Sequence, residues 1–242
     1  MASLYLAPEL RGADVAAGSV VQVTGDEARH AITVARLRVG ERISVSDGEG
    51  LLATGAVTST EGGVVTVEVQ SAARHPAPAP ELWLAQALAK GDRDELAVQA
   101  ATELGVAGVI PWAAERSVSR WGGAKADKGR ERWAAIVREA AKQSIRPRVP
   151  VVETIAPTAS VANLPGLVLV LEPTARDRLT DVDLSADRIT LVVGPEGGVS
   201  PRELETFTAA GAKAVRLGSE VLRTSTAGPA ALAVLNAKLG RW

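Results

Sequence analysis

Two short apolar runs constrain this chain most: Leu167-Val168-Leu169-Val170-Leu171 and Ile189-Thr190-Leu191-Val192-Val193. A strand with one wet face alternates apolar and polar residues. A nearly continuous apolar run is buried on both faces, as strands inside a parallel sheet are. The surrounding sequence alternates in the same sense. Residues 82–88 and 106–111 read as strands, and 92–104 as a helix stopped by Gly105. Residues 126–144 read as a long helix with Trp133, Ile136, Val137 and Ala140 on one stripe. A helix over 201–210, a short strand over 214–217 and a last helix over 226–239 follow. Alternation of this kind predicts an α/β domain with helices on both sides of a parallel sheet.

The first third reads differently. Residues 19–24, 42–46, 51–57 and 64–69 are short β-branched runs parted by Gly-rich or Asp-rich turns. One helix over 26–36, with Ala28, Ile32 and Ala35 at helical spacing, interrupts them, and a small barrel fits. Between the two regions lies 71–80, with prolines at 76, 78 and 80. Alternate prolines make a stiff extended segment, so the expected division is 1–72, a linker over 71–80, and 81–242.

Composition narrows the chemistry. The 242 residues are 46% hydrophobic, enough for a real core, but contain no cysteine and two histidines, His30 and His75, far apart in sequence. Disulfides, thiolate metal sites and cysteine nucleophiles are excluded, and no metal site is expected. No apolar run approaches the ~20 residues of a membrane span, and the first residues lack a signal-peptide pattern. The expectation is a cytoplasmic protein without a membrane partner. Net charge is −1, yet from Arg116 to Arg148 there are ten Lys/Arg against three acids. That stretch is either a polyanion-facing surface or a solvated helix face.

Ligands of open parallel sheets sit beyond the carboxyl ends of the strands. Three such ends carry distinctive residues: Leu171-Glu172-Pro173, Gly194-Pro195-Glu196-Gly197-Gly198, and Leu217-Gly218-Ser219-Glu220-Val221-Leu222-Arg223-Thr224-Ser225-Thr226-Ala227. The glycines allow close backbone approach to a ligand. Ser200-Pro201-Arg202-Glu203 then opens a helix with a capping box. The spacing is neither the dinucleotide fingerprint nor a P-loop.

These residues resemble the SPOUT-class 16S rRNA uracil-N3 methyltransferases, the ribosomal small-subunit methyltransferase E family. The likeness lies in Leu191-Val192-Val193-Gly194-Pro195-Glu196-Gly197-Gly198, in Leu217-Gly218, and in Val221-Leu222-Arg223-Thr224 with Thr226-Ala227. Further matches are His30, Val34-Ala35-Arg36 and Gly40-Glu41; Lys90 with Asp92-Arg93; Glu103-Leu104-Gly105-Val106; Arg116-Ser117; and Glu139-Ala140, Gln143-Ser144 and Arg146. They run through nearly the whole chain in order. Ala35 stands where the family usually has Leu, and Ser225 where many members have Glu.

The resemblance implies a C-terminal parallel-sheet SPOUT domain with a trefoil knot, an exception to the rule of unknotted chains, plus a small N-terminal PUA-like β-barrel that helps bind RNA. It implies a homodimer acting on uridine 1498 of 16S rRNA in the small ribosomal subunit. It implies S-adenosylmethionine held by Leu171, Glu172, Pro173, Gly194, Pro195, Glu196, Gly197, Leu217, Gly218, Val221, Leu222 and Thr226. Uracil N3 carries a proton, so its methylation needs a base or cations that stabilise charge on the ring. Arg223 is the candidate for that electrostatic role, unless it is spent in a salt bridge. Glu196 is the candidate base, unless it accepts backbone N–H groups instead. Arg29, Arg36, Arg38 and Arg42 would meet RNA phosphates from the barrel, and Arg116, Arg146 and Arg148 from the catalytic domain. Gln143 would read a base edge or cap a loop. The alternatives are a knotted methyltransferase acting at another position, ribose 2′-O included, and a non-catalytic RNA-binding assembly factor.

Overall fold

A computed structural model describes residues 3–242; Met1 and Ala2, where the first expected domain begins, lie outside the described residues. Two compact units divide the chain. The first comprises residues up to Ala77 together with Ala141–Val149, and the second comprises Pro78–Ala140 and Pro150–Trp242.

The first unit contains β1 (Leu4–Leu6), β2 (Val20–Val23), α1 (Gly25–Arg29), β3 (Arg42–Ser46), β4 (Leu51–Ser59) and β5 (Val65–Arg74). The strands form one sheet in the order β1-β3-β4-β5-β2, antiparallel except for β1 with β3. Because β1 and β2 are edges, this is a half-barrel rather than a closed one. Alternate residues Val21 and Val23, Val65, Val67 and Val69 point into one core with Ile43, Val45, Ala53 and Val57, the period-2 burial expected of a sheet with one wet face. β5 runs on through Arg74, where Ser71–Arg74 was expected to belong to the linker; its pairing with β4 continues to Leu51 opposite Arg74. The irregular connection is therefore confined to residues 75–80.

The helix over 26–36 is also different in detail. α1 gives way at His30 to a π turn over His30–Val34, and Arg36 ends it with φ 55°. The wider turn inserts a residue, so Ala28 and Ala31 are buried, Ile32 is half-buried and Ala35 faces solvent. The expected stripe through Ile32 and Ala35 thus slips by one position.

Residues 141–149 are stitched into this unit by side chain and backbone. Lys142 Nζ meets Glu27 Oε1 at 3.1 Å in a mostly buried pair. The Pro147 carbonyl accepts from Ser46 Oγ at 2.9 Å and from the Gly50 amide at 2.9 Å, and the Val149 amide donates to the Gly48 carbonyl at 3.0 Å.

The second unit holds β6 (Glu81–Ala87), α2 (Arg93–Glu103), β7 (Gly108–Ala113), α3 (Ala124–Gln143, up to Ala140), β8 (Val151–Val152), β9 (Ala156–Pro157), α4 (Thr158–Ala162), β10 (Leu167–Leu171), β11 (Arg188–Val193), α5 (Pro201–Ala209), β12 (Lys213–Val215) and α6 (Thr224–Lys238). The sheet order is β12-β10-β11-β6-β7-β8, with β9 also on β7, and every pairing is parallel. β10 and β11 both lie inside the sheet, each with a neighbour on either side, as their apolar runs required. Trp83, Ala85, Ile110, Trp112, Val170 and Val192 pack on one face with Phe207 of α5 and Val161 of α4. On the other face α2 and α6 pack together beside β6 and β11. Gly228 lets α6 come close, since a Cβ there would stand 3.2 Å from Leu84 Cδ1 and 3.4 Å from Val193 Cγ2. Among the described residues, no helix is long and apolar enough to cross a membrane.

Candidate functional site

The strand order brings the carboxyl ends of β10, β11 and β12 side by side, and a cavity of about 320 Å³ opens there. Each of the three distinctive loops supplies a wall. Leu171, Glu172 and Pro173 come from the first; Gly194, Pro195 and Glu196 from the second; Leu217, Gly218, Val221, Leu222 and Arg223 from the third. Of the residues expected to hold a cofactor, Gly197 and Thr226 do not line it. Gly197 faces Arg116: its carbonyl accepts from Arg116 Nη1 at 2.9 Å, and a Cβ would lie 3.1 Å from Arg116 Cβ. Thr226 is exposed in the first turn of α6, its amide bonded to the Arg223 carbonyl at 2.8 Å.

The middle loop is shaped by two different constraints. Gly198 turns the chain with φ 73°, a left-handed conformation that favours glycine. Gly194 sits against Val199, whose amide would be 3.2 Å from an added Cβ. The loop then enters α5 through the expected capping box. Ser200 Oγ accepts from the Glu203 amide at 3.2 Å, and Glu203 Oε2 from the Ser200 amide at 3.0 Å. The box reaches further than the sequence pattern indicates. Ser200 Oγ donates to Glu115 Oε2 at 2.6 Å, while Glu203 Oε1 accepts from the Glu115 amide at 2.8 Å and from Thr158 Oγ1 at 2.9 Å. The glycine loop is thereby fastened to the ends of β7 and β9.

Glu196 is an anchor. Its Oε1 accepts from the Lys90 amide at 3.1 Å and from Arg93 Nη1 at 3.0 Å. Burial pushes its carboxyl up, but its own amide, the Lys90 amide and Arg93 outweigh that, and the net effect is below the ordinary value. A carboxylate stabilised in its ionised form is a weak base. Arg93 lines the cavity, as do Arg216 and Glu220, and none of the three was singled out from the sequence as a site residue. A charged residue at the first position of a helix carries no marker of its own; only the Lys90-Gly91-Asp92-Arg93 motif could have pointed to Arg93.

Arg223 is at the cavity rim, exposed, in extended conformation immediately before α6. Among the described residues no hydrogen bond or ion pair engages its guanidinium. Thr224, which follows it, is buried and was also missed as a site residue. Its hydroxyl donates to the Gly194 carbonyl at 2.8 Å and accepts from Gln86 Nε2 at 2.8 Å.

The residues expected to contact RNA are dispersed. Arg29, Arg36, Arg38 and Arg42 are exposed on the first unit, Arg29 paired with Asp26. Arg116 is exposed in the second unit while holding Gly197. Gln143 is exposed at the end of α3. Arg146 and Arg148 belong with the first unit rather than with the catalytic domain, because residues 141–149 pack on the half-barrel. Arg148 donates to the His75 carbonyl at 2.9 and 3.2 Å. Arg146 is half-buried, and burial lowers its guanidinium to about 10.

Comparison with known proteins decides the family. A model described as an RNA methyltransferase domain matches residues 75–236, and one described as an RNA methyltransferase PUA domain matches residues 23–70. Ribosomal RNA small subunit methyltransferase E of Mycobacterium bovis is 42% identical over 233 residues, covering 93% of this chain and 89% of the relative. The chain belongs to the ribosomal RNA small subunit methyltransferase E family. The Bacillus subtilis member of the family is 29% identical over 94% of both chains. The member from Neisseria gonorrhoeae, solved bound to S-adenosyl methionine, superposes with a TM-score of 0.86 at 30% identity, covering 98% of each chain. A Legionella pneumophila methyltransferase in complex with the same cofactor gives 0.86 at 27% identity over 98% of each.

Proposed function

We propose that this chain methylates N3 of uridine 1498 in 16S rRNA with S-adenosylmethionine as methyl donor, acting as a cytoplasmic homodimer. The observation that carries the proposal is a cavity made by three strand-end loops with an unengaged arginine, Arg223, on its rim.

The cavity suits that cofactor. Val193, Val199, Val215 and Ala227 offer apolar surface against which an adenine ring can pack, Glu172 and Glu220 offer acceptors for ammonium or hydroxyl groups, and Arg93 and Arg216 offer partners for a carboxylate. When bound, S-adenosylmethionine supplies an electrophilic methyl group. The protein's own residues do the rest. The braced glycine loop fixes position, which contributes much of the rate of an in-line displacement. Arg223, free of partners among the described residues, stabilises the negative charge that develops on the uracil oxygens as the N3 proton leaves. Glu196 holds the loop, and the N3 proton passes to solvent water.

The exposed Arg29, Arg36, Arg38, Arg42 and Arg116, with Gln143 beside them in function, serve RNA binding in this proposal, whereas Arg146 and Arg148 contribute mainly to packing. A knotted path is part of it too. The connection after β10 is bonded to β12 and α6: the Leu179 amide to the Arg216 carbonyl at 2.9 Å, the Arg216 amide to the Asp177 carbonyl at 2.9 Å, and Lys238 Nζ to the Val182 carbonyl at 2.9 Å. These bonds, which tie the connection to both β12 and α6, are what supports the knot. Light scattering of the purified chain tests the dimer. Methyl transfer to small subunits lacking the modification, followed by nucleoside analysis, tests the reaction.

A further inference from the structure

We infer that Gln86 is a positioning residue for methyl transfer: from the end of β6 it latches Thr224, and with it the start of α6 and Arg223, to the glycine loop after β11. The inference rests on the methyltransferase reading above.

Gln86 is fully buried, opposite Val193 in the β6–β11 ladder. Its Nε2 donates to the Ala87 carbonyl at 3.1 Å and to Thr224 Oγ1 at 2.8 Å, and Thr224 Oγ1 in turn donates to the Gly194 carbonyl at 2.8 Å. The direction of this relay is fixed. Turning the amide over would set Oε1 against the Ala87 carbonyl, two acceptors face to face. Three separate pieces of chain therefore meet through one polar relay: the end of β6, the first residue of the glycine loop, and the first turn of α6.

The relay also leaves a polar atom unsatisfied. Among the described residues, Gln86 Oε1 is buried without a hydrogen-bond partner. A buried orphan acceptor is destabilising, and an apolar side chain of similar size would avoid it. Stability alone does not account for an amide here. What the amide does, and leucine cannot, is fix the Thr224 hydroxyl and so the backbone that carries Arg223 one residue earlier. A misplacement of about 1 Å in a group acting on the transition state lowers the rate about a hundredfold.

The test uses the full chain with Gln86→Leu, Thr224→Val, the double variant, and Thr224→Ser. Methyl transfer to small subunits, S-adenosylmethionine affinity by calorimetry and thermal unfolding are measured for each. For Gln86→Leu the expected result is a fall in kcat of about ten- to a hundredfold, cofactor affinity within about threefold, and a melting temperature no lower than wild type. Thr224→Ser, which keeps the hydroxyl, retains activity. The double variant is no slower than Thr224→Val alone, because both remove one relay. A Gln86→Leu protein within twofold of wild-type kcat overturns the inference, as does a loss of rate matched by equal losses of cofactor affinity and stability. If Gln86→Leu fails to fold, additive losses measured with Thr224→Val and Gln86→Met overturn it equally. A wild-type chain that transfers no methyl group overturns the methyltransferase reading itself.

Discussion

Glu196 and Arg93 form an ion pair of 3.0 Å, and the same carboxylate oxygen takes the Lys90 amide at 3.1 Å. The glycine loop is thereby tied to the start of α2. The Glu196 carboxyl lies below its ordinary 4.5, because hydrogen bonds and Arg93 outweigh burial. For a depressed carboxyl, the stabilisation is complete above the unfolded value and is lost as pH falls through the folded one. The brace therefore persists across neutral pH, and Glu196 contributes no limb to the pH–rate profile between pH 6 and 9. Glu196→Gln weakens cofactor binding by about three- to tenfold with kcat changed much less, read by calorimetry and single-turnover rates. A large loss of kcat at unchanged affinity would return Glu196 to the role of base.

Arg223→Ala removes a cation that no partner among the described residues shares. The expected loss is about a hundredfold in kcat, in the range of removing one preorganised transition-state contact, with S-adenosylmethionine affinity nearly unchanged. Arg223→Lys recovers part of the rate, since charge is kept but the planar fork is lost. Collapse of cofactor affinity in Arg223→Ala would mean that Arg223 holds the cofactor.

The two glycines flanking the middle loop fail for different reasons. Gly198→Ala adds a methyl into open space but at φ 73°, so it carries backbone strain of about 1 kcal/mol and a modest drop in melting temperature. Gly194→Ala meets Val199 at 3.1 to 3.2 Å, and the loop must shift beside the cofactor. Its expected signature is reduced cofactor affinity with little change in stability. Equal effects of the two substitutions on both readouts would contradict this division.

Much of this was legible in sequence, and the exceptions have physical causes. The runs in β10 and β11 and the Ser200–Glu203 box are local patterns whose geometry follows from a few neighbouring residues, and they appear in the structure at the expected places. The Gln86–Thr224 relay joins residues 138 apart in sequence. Thr224 stands in the resembling Val221–Thr224 stretch and Gln86 in the expected strand 82–88, but no local pattern pairs the two. The docking of residues 141–149 on the half-barrel was hidden likewise, because α3 reads as one continuous amphipathic helix. The slip around His30–Val34 escaped because an α-helical period was assumed where the chain widens into a π turn.

Asp47 organises the first unit. Its fully buried carboxylate accepts from the Glu49 amide at 2.7 Å and the Leu51 amide at 3.0 Å, and meets Arg74 Nη1 at 2.9 Å. Burial raises its pKa, but those hydrogen bonds and Arg74 bring it below the ordinary 3.8. Asp47→Ala strands two amides and lowers stability by about 2–4 kcal/mol, with RNA binding lost on heating before cofactor binding is. Unfolding followed by circular dichroism and calorimetry checks it. Because the pKa is depressed, the contribution stays intact above pH 4 and disappears as pH falls through the lower folded value.

The central claim is tested most directly by incubating the chain with labelled S-adenosylmethionine and small ribosomal subunits that lack the modification, then identifying the methylated nucleoside and its position. The account predicts 3-methyluridine at position 1498. Methyl on a ribose, on another base or on another uridine, or no transfer to subunits or free 16S rRNA, would contradict it.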